Sequence, residues 1–307
     1  MRHLLEIDDL TPAELEQICE LAALEPAAVE PVLAGRGIAC IFTKPSARTR
    51  SSTEMAVVQL GGHPVYITGD EIGIDARETA EDIARTLACY HAGICARVHE
   101  HRVLERMAAL DVAPVVNLLS DDAHPLQAIA DVLTIQAELG GLKDRVVAYV
   151  GDANNVARSL ALAISYLGGE MRVVSPPGYG FSPADGERLA VAGVEVVVGD
   201  RPAEAAVGAD VIYTDTWTSM GQEAERAERL KAFEGFTVDE RLLAVAPAAI
   251  FMHCLPAHRG EEVTGAVLDG SRSRIWRQAA NRLAAARGVL QWLHQPRLQQ
   301  EAGNGAG

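Results

Sequence analysis

Five short stretches of this chain carry more donor and acceptor chemistry than a packed fold requires. The first is Ser46-Ala47-Arg48-Thr49-Arg50, set between the apolar runs Ile38–Phe42 and Ala56–Leu60. Arginines and hydroxyls crowd what reads as a strand-to-helix junction. A helix amino terminus offers unpaired N–H groups and a partial positive charge, so it favours an oxyanion. Ser46, Arg48 and Thr49 would add hydroxyl donors and a forked guanidinium that matches a pair of phosphate oxygens. The plain alternative is a helix cap with two solvent-facing arginines.

The other four stretches also follow apolar runs. His124-Pro125-Leu126-Gln127 comes after Pro114–Leu118, and Pro125 can open a helix with His124 at its cap and Gln127 in its first turn. There the histidine could donate to a carbonyl oxygen, or serve as an ordinary structural side chain. Gly151–Asn155 follows Val147–Val150 and resembles the first turn of a nucleotide-binding unit, but it lacks the G-x-G-x-x-G fingerprint. Asn154 and Asn155 also suit a helix cap. Asp215, after Val211–Thr214, could hold an ammonium group or cap a helix. Cys254 follows Ile250–Met252, and with His253 and His258 nearby it reads as a nucleophile, a substrate contact or a buried thiol.

The elements that must position these groups are legible in the pattern. Apolar runs predict strands at 37–42, 64–67, 93–98, 113–118, 145–150, 171–174, 194–198, 210–214 and 248–253. Helical periodicity fills stretches between them, as at 78–90, 125–139 and 155–167. Strands alternating with helices mean βαβ units and parallel sheets, in one wide sheet or two smaller ones. Leu139-Gly140-Gly141-Leu142 supplies a hinge, so a domain boundary is expected near residue 140. Thr11, Pro12 and Glu14 form a capping-box start for an opening helix. In a parallel sheet every polar cluster at a strand's carboxyl end faces the same side. The expectation is a substrate site in a cleft between two α/β domains.

Composition narrows the classes of partner. A net charge of −15, with no basic patch, argues against nucleic acid. The five cysteines show no metal-like spacing, so a reducing, cytoplasmic compartment and no metal are expected. The start Met-Arg-His-Leu-Leu-Glu-Ile-Asp-Asp has acids where a signal peptide needs an apolar core. No run has the roughly 18 apolar residues of a membrane span.

Taken in order, S-A-R-T-R at 46–50, H-P-L-Q at 124–127, D-T-W-T-S-M-G at 215–221, H-C-L-P at 253–256 and N-R-L at 281–283 resemble the ornithine carbamoyltransferases. The resemblance runs from about residue 3 to residue 293. The first two motifs are shared with aspartate carbamoyltransferases; H-C-L-P and S-M-G are more specific to the ornithine enzymes. It implies carbamoyl transfer from carbamoyl phosphate to the δ-amine of L-ornithine, without a cofactor, in a homotrimer or an assembly of trimers.

Residue by residue, the resemblance implies that Ser46, the Ala47 amide, Arg48 and Thr49 hold phosphate. Arg97 and His124 bridge phosphate and carbonyl oxygen. Gln127, Cys254, Leu255 and Arg282 fix the carbamoyl end, while Asn155, Asp215, Ser219 and Met220 hold ornithine. Thr49, Arg97, His124, Asp215 and Cys254 are the implied catalytic set. A carbamoyl phosphate domain is expected over 1–138 and an ornithine domain over 142–275. A helix at about 278–294 would pack back on the first domain, and 295–307 would form a disordered tail.

The chain departs from the family pattern in places. Ala47 stands where threonine is usual, and Glu71 stands where a glutamine reaches the phosphate of a neighbouring subunit. A carboxylate there repels phosphate unless it is protonated or turned away, and Arg77 is placed to compensate. The alternatives are a carbamoyltransferase for another amine, such as putrescine or an N-acylated ornithine, and a paralogue that binds carbamoyl phosphate with weak turnover.

Overall fold

The computed structural model describes residues 1–218 and 222–295. Ser219, Met220 and the expected tail from 296 onward lie outside the described residues.

Among the described residues nine strands form two parallel sheets. The first holds β1 (Gly37–Phe42), β2 (His63–Thr68), β3 (Gly93–Arg97) and β4 (Val115–Leu119), in the order β2-β1-β3-β4. The second holds β5 (Val146–Val150), β6 (Glu170–Val174), β7 (Val196–Gly199), β8 (Val211–Thr214) and β9 (Ile250–His253), in the order β7-β6-β5-β8-β9. Every neighbouring pair is parallel. The apolar runs are buried because helices cover both faces of each sheet, which is what a parallel sheet requires.

These orders matter for function. In the first sheet the chain moves from β1 outward to β2, then returns to place β3 on the other side of β1. The second sheet does the same between β5 and β8. At such reversals the crossover loops diverge, and the crevice beyond the strand carboxyl ends is open to a ligand.

The opening helix, Pro12–Ala23, has Thr11 and Glu14 in a reciprocal capping box with Pro12 in its first turn, as the sequence predicts. Helix Pro125–Leu139 stops at Gly140, which takes a left-handed φ of 80° and donates its N–H to the Gln136 carbonyl. The last helix, Ile275–His294, begins three residues before its expected start. Main-chain hydrogen bonding of Arg274 to Phe251 anchors it directly beside β9. It packs on the helices Pro125–Leu139, Pro12–Ala23 and Ala47–Gln59. Helix Pro125–Leu139 also packs on Asn155–Tyr166, so one apolar core runs continuously beneath both sheets. No described helix is long and apolar enough to cross a membrane.

Candidate active site

The candidate residues gather at the two sheet reversals. After β1, Ser46 caps helix Ala47–Gln59 and its hydroxyl accepts the Thr49 N–H. Ala47 and Arg48 are exposed at the mouth of this turn and Thr49 is buried beneath them. Ala47 lies in the first turn of the helix, where a main-chain N–H has no helical partner. A side chain of either size is compatible with such a contact.

The two arginines of S-A-R-T-R part company. Arg50 is ion-paired with Glu54 at 2.8 Å and stacks over Tyr66 at 3.7 Å. The phosphate reading is thereby left to Arg48, whose charge bears on Arg97 and Arg282.

Arg97 closes β3, directly beside Phe42 of β1, and is buried. Its Nη1 approaches Thr49 Oγ1 at 3.5 Å, and Nη2 of Arg282, from the last helix, reaches the same oxygen at 3.2 Å. Arg282 Nη1 also donates to Gln127 Oε1 at 2.5 Å. Burial, then the positive charges of Arg282 and Arg48, lower the Arg97 pKa to about 10. Burial lowers that of Arg282 as well. Among the described residues no carboxylate pairs with either guanidinium, and the Nε of each is buried without a hydrogen-bond partner. A buried cation is stabilised by a counter-charge and by filled hydrogen bonds, so this pair of guanidiniums suits an anionic ligand.

His124 is the N-cap residue of Pro125–Leu139, yet its side chain makes no capping bond. Its main-chain N–H is tied instead to Ser159 Oγ at 2.9 Å, and Ser159 donates to buried Glu6 at 2.7 Å. The imidazole is buried with Nδ1 unpartnered. Burial, reinforced by Arg282 and Arg97, holds its pKa well below the usual histidine range, so the ring is neutral. A neutral imidazole carries one N–H donor and can direct it at a carbonyl oxygen without adding charge.

The second reversal supplies the opposite wall. Asn154 caps helix Asn155–Tyr166 and also donates to Asp215 at 3.0 Å. Asn155 donates to the Ser120 carbonyl at 2.7 Å, linking this turn to the loop before His124. Asp215, at the end of β8, accepts from the Thr216 N–H at 2.7 Å and from the Cys254 thiol at 2.9 Å. Burial, then the Asp215 charge, raises the Cys254 pKa well above the usual thiol value. A thiol so strongly protonated is a poor nucleophile, which removes one of the three sequence readings of this residue.

Leu255 adopts a left-handed φ of 62°, and its N–H donates to His253 Nδ1 at 2.9 Å. A bulky residue in that region is held there by its surroundings, and such positions recur at ligand-binding segments. His253 and His258 face Glu262 rather than Cys254: His253 Nε2 lies 3.2 Å from Glu262 Oε1, and the His258 N–H donates to the same oxygen.

Glu71 does not face this cluster within the chain. Its carboxylate accepts from the Thr68 N–H at 2.8 Å and from Thr68 Oγ1 at 2.9 Å. Those bonds, main-chain first, hold its pKa below the usual glutamate value. Arg77 donates to the Glu71 carbonyl oxygen, not to its carboxylate, so it does not offset that charge as expected.

Sequence reasoning missed the support beneath the site. Asp131 is wholly buried and accepts from Gln127, Gln278 and Tyr213. Burial pushes its carboxyl up to about 7 against those three donors. Its signal was an acid in the apolar helical run Ile129-Ala130-Asp131-Val132-Leu133. Arg229 was also missed: it binds Asp152 at 2.8 Å and the Trp217 carbonyl at 3.0 Å, pinning the loop that starts at Asp215.

Comparison with known proteins identifies the family. Residues 2–137 match the carbamoyl-P binding domain of the aspartate/ornithine carbamoyltransferase family, and 143–293 match its Asp/Orn binding domain. The chain is 48% identical over 303 residues to an ornithine carbamoyltransferase of Acidothermus cellulolyticus, covering 95% of this chain and 96% of that one. It is 45% identical over 293 residues to the Thermus thermophilus enzyme of the same name, covering 94% and 95%. The structure of the Pyrococcus furiosus ornithine carbamoyltransferase superposes with a TM-score of 0.90 at 43% identity, covering 95% of this chain and 96% of that chain. With both sheets, both reversals and nearly the full length matched, this chain is an enzyme of the aspartate/ornithine carbamoyltransferase family.

Proposed function

We propose that the enzyme transfers the carbamoyl group of carbamoyl phosphate to the δ-amine of L-ornithine, giving L-citrulline and phosphate in arginine metabolism. The observation that carries this reading is the pair of carboxylate-free guanidiniums meeting at Thr49 under a helix amino terminus. Such a pocket suits a phosphorylated substrate, and an acidic chain can bind one only through cations placed locally.

Ser46, the Ala47 amide, Arg48 and Thr49 would take the phosphate. Arg97 and His124 would bridge phosphate and the carbonyl oxygen, which gains negative charge as the tetrahedral intermediate forms. Donors already in place stabilise that charge without rearranging. Gln127, Arg282 and the Cys254–Leu255 segment would hold the carbamoyl amide end. Across the cleft, Asn155 and Asp215, with Ser219 and Met220 by motif, would hold the amino-acid end of ornithine.

A free alkyl ammonium has a pKa of about 10, so the attacking amine must lose a proton. Desolvation favours the neutral amine, and the departing phosphate is a ready acceptor for its proton. The C–N bond forms first, giving the tetrahedral oxyanion; its collapse restores the carbonyl and breaks the C–O bond, and phosphate departs with the proton of the amine. Holding two small substrates in line supplies much of the remaining acceleration. We further propose a cytoplasmic homotrimer, or an assembly of trimers, in which Glu71 lies near a neighbouring subunit's phosphate site.

The test is citrulline formation by purified protein from carbamoyl phosphate and L-ornithine, with putrescine, aspartate and N-acetylornithine in parallel. Rapid turnover with ornithine alone is expected. Turnover with another amine would move the acceptor assignment, and none with any amine would overturn the reading.

A further inference from the structure

Asp131 lies seven residues beyond His124 on helix Pro125–Leu139, and its side chain is fully buried. Its Oδ1 accepts from Gln127 Nε2 and from Gln278 Nε2, each at 2.7 Å. Its Oδ2 accepts from the Tyr213 hydroxyl, on β8, at 3.0 Å. A glutamine amide has two unlike ends, and which end faces a neighbour decides what the other end can do. With Nε2 drawn to Asp131, Gln127 presents Oε1 to Arg282 at 2.5 Å. With Nε2 drawn to the same carboxylate, Gln278 presents Oε1 to the His253 N–H at 2.9 Å. That bond anchors the main chain one residue before Cys254.

We propose that Asp131 is a positioning residue that sets the polarity of both glutamine amides, and through them the Arg282 guanidinium and the Cys254–Leu255 segment. It belongs to neither substrate. It fixes an acceptor, Gln127 Oε1, on one side of the cleft and a strand end on the other, from a point where the helices of the first half meet β8 of the second. The inference rests on the carbamoyl-transfer reading, since it assigns Asp131 a part in orienting the carbamoyl end.

An acceptor role and a counter-charge role predict different mutants. In Asp131→Asn the side-chain oxygen can stand at Oδ1 and accept both glutamines, while the new NH2 faces the Tyr213 oxygen, which can accept. In Asp131→Leu the Gln127 amide loses its acceptor and is free to reverse, while Gln278 Nε2 keeps only the longer bond to the Tyr213 oxygen at 3.1 Å. We expect kcat for citrulline formation to fall by about a hundredfold or more in Asp131→Leu, and by about fivefold in Asp131→Asn. Binding of inorganic phosphate, followed by calorimetry, should change by less than about threefold in either, because neither change removes a group from the Ser46–Thr49 turn.

A kcat for Asp131→Leu within tenfold of wild type would overturn the proposal. So would an Asp131→Asn loss as large as that of Asp131→Leu, which would mark a charge effect. Should Asp131→Leu fail to fold, Gln278→Leu serves: it unhooks the His253 main chain before Cys254, and the carbamoyl phosphate KM should rise by about tenfold. An unchanged carbamoyl phosphate KM there would count against the proposal. Citrulline formation by wild type in the same run separates the two claims, because its absence overturns the underlying reading whatever the variants do.

Discussion

Arg97 and Arg282 lie 185 positions apart in the chain, yet both direct a guanidinium at one hydroxyl, that of Thr49. Neither has a carboxylate partner among the described residues; burial lowers the pKa of both, with Arg282 and Arg48 adding to the effect on Arg97 and Arg48 adding to that on Arg282. The free protein is therefore under electrostatic strain that an anion relieves.

Inorganic phosphate should accordingly stabilise the fold. At a concentration of about 100 Kd the gain is about 2.7 kcal/mol, which raises the melting temperature of a chain this size by several degrees. Arg97→Met should abolish that shift and lower kcat by about 10²–10³. A phosphate-dependent shift that survives in Arg97→Met would remove Arg97 from the anion site.

Cys254 is expected to act as a protonated thiol donating to Asp215. Cys254→Ser keeps a donor at that position, so kcat should fall by no more than about tenfold. Alkylation by iodoacetamide at pH 7 should be slow. A loss beyond about a thousandfold in Cys254→Ser would point to covalent catalysis instead.

Glu6 is buried beneath His124, and burial, against bonds from Ile7 and Ser159, pushes its pKa up to about 8. The native state therefore holds a proton that the unfolded state has released above about 4.5. Stability should fall as pH rises from about 4.5 to about 8 and level off above that. Melting curves across this range should show the decline in wild type and a flatter profile in Glu6→Gln. An identical slope in both proteins would contradict the burial argument.

Glu71 is held by Thr68 and is ionised. If a neighbouring subunit's phosphate site lies close by, Glu71→Gln removes a repelling charge. The carbamoyl phosphate KM should drop by about three- to tenfold, most clearly at low salt. A KM that rises, or one indifferent to salt in both proteins, would place Glu71 away from the phosphate.

The nine strands were legible because buried parallel strands read as short apolar runs, and each candidate cluster was legible because it follows one. What the sequence hid is three-dimensional. The i,i+4 spacing of Arg50 and Glu54 is a local sign that Arg50 is engaged on its own helix, but neither its stacking on Tyr66 nor the bearing of Arg48 on the arginine pair is written locally. The pairing of Asp131 with Gln278 spans 147 positions and joins an apolar helix to the chain's last helix. Arg77 sits six residues from Glu71 in sequence, but the turn directs it to a carbonyl oxygen. Turn geometry, ring stacking and one long-range hydrogen bond set these roles, and residue types alone do not encode them.

The central claim is that two half-sites, one at each sheet reversal, hold two substrates against each other. Calorimetric titration with a phosphonoacetyl group amide-linked to the δ-nitrogen of ornithine tests it most directly. The joined molecule should bind at least about 10³-fold more tightly than phosphate or ornithine alone. Arg97→Met and Asp215→Asn should each remove most of that gain. Binding no tighter than phosphate, or binding unaffected by Asp215→Asn, would contradict the account.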